Sequence, residues 1–128
     1  YVISGFLGYR NHLLPSQLQK IANDGLVEIG AHTAHHAWLK GQKTATVLAE
    51  IFQDKASLEK LIHKPVVSFA YPFGAFDQQA LEAVRNAGFR SAVSTIPGLE
   101  QKRQNRYFLY RLRPGGRTGN ALLAWLEK

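Results

Sequence analysis

The chain has 128 residues, of which 45% are hydrophobic and 20% charged, a soluble globular composition that fits one domain but falls short of the ~200 residues a complete α/β barrel takes. It contains no cysteine, which excludes a disulfide framework and a thiolate metal site, and no apolar run approaches the ~20 residues of a membrane span. The net charge of +7 suits polyanionic surroundings without choosing among nucleic acid, anionic cell wall and lipid headgroups.

Tyr1-Val2-Ile3-Ser4 reads as a strand, opening without a charged leader or an initiator Met, so the chain is expected to be cut from a longer one. Gly5, Gly8 and Asn11 supply turn chemistry, and Pro15 suits the first turn of a helix through Leu18, Ile21 and Ala22 that Asp24-Gly25 stops. Val27-Glu28-Ile29 is a second strand, with His32 just past its C-terminal end. Thr44 to Ile62 has apolar residues at helical spacing and Pro65 forbids continuation. Val66 to Ala70 is a continuous apolar run of strand length, expected for a strand covered on both faces, and Tyr71-Pro72-Phe73-Gly74 turns at its end. Asp77 caps a helix running to Ala87, where Gly88 ends it; Phe89 to Ser94 and Tyr107 to Leu112 are further strands, and Thr118 opens a last helix. Lys102, Arg103, Arg106, Arg111, Arg113 and Arg117 form a basic stretch with no acid between Glu100 and Glu127. It lacks the aromatic and glycine pattern of an RNA-binding sheet, so a solvated face and no nucleic-acid partner are expected. Trp38 and Trp125 read as core or helix-packing residues, His12 and His63 as surface. Strand and helix alternate without repeats, which argues a parallel α/β fold with no internal boundary.

His32 and His36 lie four residues apart, and a local helical turn would bring their Cβ atoms to about 5–6 Å, a spacing that can hold a divalent metal. Two histidines do not fill a tetrahedral site, and histidine pairs at this spacing are more often merely solvated or core residues.

The wording around them narrows the choice. His32-Thr33, then His36 and Leu39, resemble the histidine motif of the polysaccharide deacetylases, the NodB-homology domain of the family-four carbohydrate esterases, with Ala37 where Pro is usual. Ala70-Tyr71-Pro72-Phe73-Gly74 resembles the Pro-Tyr-Gly motif of the same family, and the likeness runs from Tyr1 to about Arg113. The resemblance implies an incomplete (β/α) barrel of the NodB-homology type lacking its first strand, with residues 1–128 as the C-terminal two-thirds of the domain. It further implies metal-dependent hydrolysis of N-acetyl groups from an N-acetylglucosamine-containing polysaccharide. His32 and His36 would ligate Zn2+, or Co2+ or Ni2+ in its place. The Phe73 backbone N–H would be an oxyanion donor, with Tyr71 and Pro72 shaping its turn. The implied setting is the cell envelope, periplasmic or extracellular, with N-acetylated polysaccharide as partner.

Some family features have no counterpart here. The acidic Thr-Phe-Asp-Asp segment that supplies the metal-ligating and base carboxylates precedes the equivalent of Tyr1, and Asp24, Asp54 and Asp77 read as lying at helix ends or on helix faces. Ala70 stands where many members have Arg, as in a branch acting on poly-β-1,6-N-acetylglucosamine. Leu112-Arg113 occupies the place of a Leu-His pair carrying the general acid, which leaves His35 and His12 as stand-ins. The chain alone is therefore expected to be inactive, to expose the Tyr1-Val2-Ile3 edge, and to form a homodimer through it. A non-catalytic carbohydrate-binding module on the same fold is the alternative.

Overall fold

The computed structural model describes residues 1–127. Four α-helices, α1 (Pro15–Asn23), α2 (Thr44–Ile62), α3 (Gln78–Asn86) and α4 (Gly119–Leu126), accompany three short strands, β1 (Ser68–Ala70), β2 (Ser91–Pro97) and β3 (Leu109–Arg111). The sheet order is β1-β2-β3, parallel throughout. Two parallel bridges extend it beyond β1, Ala31 to Phe69 and Val2 to Ala31. Five segments thus run side by side in one direction, an open piece of a barrel.

The helices fall where periodicity and capping place them. Pro15 occupies the first turn of α1, Asp77 accepts a hydrogen bond from Ala80 N–H as the cap of α3, and Gly88 (φ 81°) ends that helix in the left-handed region. α2 packs against both α1 and α3. Val47, Ile51 and Leu58 lie on its buried face against Leu18, Val66, Phe69 and Val84. Phe69 centres this core, its ring edge-on to Tyr71 at 5.2 Å and 5.3 Å from Phe89. Burying each such side chain stabilises the chain by about 1.5–3 kcal/mol.

The strands are shorter than the apolar runs that suggested them. Tyr1 to Ser4 makes one bridge at Val2 before Ser4–Phe6 turns into a 3-10 helix, and Val27 to Ile29 makes no ladder, pairing beginning at Ala31. β2 extends to Pro97, past the end expected at Ser94. α4 buries none of its residues: Leu123 and Leu126 are exposed, and half-buried Trp125 lies under the Arg117 guanidinium at 5.4 Å, so it is no core residue. Trp38 is also misassigned to the core, being 51% exposed, whereas the neighbouring Leu39 is fully buried.

Candidate active site

In a parallel sheet all strands end at one edge, and the loops leaving that edge converge where ligands bind. Here those loops are Ile3 to Phe6 after the Val2 bridge, His32 to Trp38 after the Ala31 bridge, and Tyr71 to Gly74 after β1. Gly30, just before the bridge, admits no side chain, since a Cβ would meet the Tyr1 ring at 2.5 Å and Ser68 Oγ at 2.7 Å. The close approach it permits brings the histidine loop against β1.

His32 and His36 do come together, with ring centroids 4.9 Å apart, but a loop and not a helical turn brings them there. Thr33 (φ 65°) and His36 (φ 58°) both adopt left-handed backbone. Thr33 is fully buried and its Oγ1 accepts a hydrogen bond from Ala37 N–H at 3.1 Å, which closes the loop. A β-branched residue at positive φ is strained, and strain of this kind collects at functional sites.

The His32 ring is fixed by its Nδ1, 2.6 Å from the Ala70 carbonyl oxygen. A carbonyl only accepts, so Nδ1 carries the proton and Nε2 keeps its lone pair free to ligate. Burial pushes the imidazole below its ordinary range; the Ala70 hydrogen bond opposes this and the neighbouring His36 reinforces it. His32 is thus held neutral, as ligation requires.

The Tyr71 turn supplies the next wall. Gly74 N–H donates to Tyr71 O at 2.9 Å and Ala75 N–H to Pro72 O at 3.0 Å, so the Phe73 N–H takes no part in closing the turn. Phe73 itself is left-handed (φ 59°), and its exposed ring lies 4.5 Å from that of His36. Pro72 is buried beneath. The Tyr71 side chain points away from the chemistry, its hydroxyl donating to Tyr107 O at 2.9 Å and its ring stacked on Phe76 at 4.7 Å. Burial raises this phenol well above its usual range, which suits an anchor and not an acid.

Asp54 does lie on a face of α2, but on the buried one. It is fully buried, Oδ1 accepting from Ser4 N–H and Oδ2 from His32 N–H, both at 2.8 Å. Asp24 and Asp77 do lie at helix ends, bonding Leu26 N–H and capping α3 respectively. His35 turns away from the pair, its Nδ1 2.8 Å from Glu50 Oε1. Together with His12 it lines a cleft with Gly5, Phe6 and Tyr9 that neither His32 nor His36 lines. Among the described residues no group of three His, Asp, Glu or Cys could hold a metal. His32 and His36 fit as two nitrogen ligands of a divalent ion, and the remainder of a tetrahedral set is not drawn from these residues.

The sequence model described as polysaccharide deacetylase matches residues 1–92. A curated relative, YxkH of Bacillus subtilis (strain 168), named as a polysaccharide deacetylase, is 28% identical over 128 residues, covering 99% of this chain and 46% of its own length. Among solved structures, BC0361, a polysaccharide deacetylase from Bacillus cereus, superposes with a TM-score of 0.86 at 25% identity, over 100% of this chain and 40% of that one. The Streptococcus pyogenes deacetylase PplD, solved in complex with acetate, gives 0.82 at 23% identity, over 88% and 50%. The chain thus spans about half or less of the length of these relatives, and the incomplete barrel matches theirs in fold.

Proposed function

The chain belongs to the polysaccharide deacetylase family, and from that premise we propose that it carries the histidine and oxyanion parts of a metal-dependent hydrolase that removes N-acetyl groups from an N-acetylglucosamine-containing polysaccharide. The observation that carries this reading is His32, whose Nδ1–H is committed to the Ala70 carbonyl so that Nε2 stands free beside the His36 ring. His32 and His36 would hold zinc, or cobalt or nickel in its place. When bound, such an ion supplies Lewis acidity toward water and the amide oxygen. The chain's own part is positional. The Ala70 carbonyl sets the tautomer and plane of His32, the Thr33 hydroxyl closes the loop that aims His36, and the left-handed turn at Phe73 holds an N–H available to a developing oxyanion.

The proton-transferring carboxylate and a third ligand would come from residues outside this chain, so the 128 residues alone should release no acetate. A substrate of this kind puts the parent protein at the cell envelope, in the periplasm or outside the cell. The test compares this chain with a longer piece of the parent protein carrying an Asp-Asp segment ahead of Tyr1. The longer chain should release acetate from N-acetylglucosamine oligomers only when metal is present; acetate release by the 128 residues at an ordinary enzyme rate would refute the division of labour. A non-catalytic carbohydrate-binding module is the second reading, favoured by the lack of a three-ligand group among the described residues. Sugar binding without acetate release from the longer chain would establish it.

A further inference from the structure

Beyond the histidine pair, the aromatic rings continue outward. Phe73 lies 4.5 Å from His36 and 5.7 Å from Trp38, the two outer rings inclined by only 34°. The four rings of His32, His36, Phe73 and Trp38 therefore form one row leading from the candidate metal ligands to the surface. Phe73 is 59% and Trp38 51% exposed, large apolar surfaces that a folded chain ordinarily covers.

Neither ring is loosely placed. Trp38 is followed by fully buried Leu39 and preceded by Ala37, whose N–H is tied to Thr33 Oγ1. Phe73 is pinned in its left-handed turn, and Gly74 packs its Cα on the Thr95 side chain so closely that a Cβ would collide with it. Two exposed aromatic rings in contact, tilted by 34° to one another and held by ordered neighbours beside the histidine pair, offer apolar faces to the C–H face of a pyranose ring, which is apolar above and below and polar at its rim. Rigid aromatic side chains offer such contact area at little conformational cost.

Building on the deacetylase reading, we propose that Trp38 and Phe73 form a stacking shelf for a pyranose ring of the polysaccharide, a sugar neighbouring the one whose acetamide reaches His32 and His36. Trp38 is then a residue that selects polymer over single sugar.

The test uses the 128-residue chain, metal-free, with Trp125→Phe so that Trp38 alone reports by fluorescence. Titration with a β-linked N-acetylglucosamine pentasaccharide should shift Trp38 emission. By calorimetry Trp38→Ala should weaken oligomer binding ~10-fold or more, the loss ordinary for truncating a central aromatic anchor. Trp38→Tyr should recover most of it. Because Trp38 is exposed, circular dichroism of the Ala variant should match the parent. Oligomer binding unchanged by Trp38→Ala overturns the shelf and leaves the hydrolase reading standing. No binding by any variant also overturns it, with acetate release by the longer chain remaining the separate measure of that reading. Trp38-dependent binding joined to a longer chain that never releases acetate keeps the shelf and removes the hydrolase.

Discussion

Asp54 Oδ2 lies 2.8 Å from the backbone nitrogen of His32, so a carboxylate in the middle of α2 holds the residue that opens the histidine loop. Its other oxygen holds Ser4 N–H at the same distance, which fixes the neighbouring loop to the same helix. Replacing it by Ala would leave two part-buried donors without their acceptor, each costing up to ~1–3 kcal/mol. At pH 5, where the wild-type carboxyl is mostly protonated and its burial costs least, Asp54→Ala should lower the stability measured by urea unfolding by ~2 kcal/mol or more. Unchanged stability would mean that the two N–H groups find other partners.

The same residue sets a pH dependence. Burial pushes the Asp54 carboxyl up to about 6 from an ordinary 3.8, against hydrogen bonds from Ser4 and His32 that lower it. Raised in the folded chain, it binds more protons there than in the unfolded chain between those two values. Its contribution is therefore full below pH ~4 and is lost as pH rises through ~6, up to ~3 kcal/mol in all. Urea unfolding between pH 4 and 7 should show this fall, and Asp54→Asn should flatten it. A slope that persists in the Asn variant would assign it to another group.

Zinc should bind this chain weakly, because two imidazoles leave a tetrahedral site open. Isothermal titration should show that His32→Ala and His36→Ala each abolish binding. High affinity that survives both substitutions would place the metal elsewhere.

Gly74→Ala should destabilise by ~2 kcal/mol or more, from a left-handed backbone at φ 68° and a Cβ driven into Thr95. Thr95→Gly in the same chain should restore part of the loss, as read by thermal melting. A neutral Gly74→Ala would show that the turn and β2 can move apart.

The Tyr1-Val2-Ile3 segment lies at one edge of the parallel array, paired on one side through Val2. Edges of this kind invite a second copy. Light scattering should therefore show a concentration-dependent dimer; a strict monomer at high concentration would remove that expectation.

The helices were legible in the sequence because their signals are local: Pro15, Asp77 and Gly88 act within a turn of their own positions. The strands were legible only as apolar runs. How many residues of a run join the ladder depends on partners such as Ala31 and Phe69, distant in sequence. The histidine pair was legible as a spacing and as a family likeness, though a helical turn was the wrong device for it. Asp54 was not legible, since between Gln53 and Lys55 on an amphipathic helix a carboxylate looks solvated. What buries it are backbone N–H groups 22 and 50 residues away. Trp38 was misread because an aromatic next to Leu39 looks like core until the loop's left-handed residues turn it outward.

The left-handed backbone at Thr33, His36 and Phe73 has a consequence for any attempt to harden this protein. Glycine would relieve the torsional cost at each position, and stability is easily gained where strain is released. At buried Thr33 the lost packing and loop-closing hydrogen bond would outweigh that relief, but His36 and Phe73 are not buried, and a selection for heat resistance alone would drift toward glycine at those two. It would discard the rings of His36 and Phe73, yielding a tougher chain from which the working edge of the sheet had been erased.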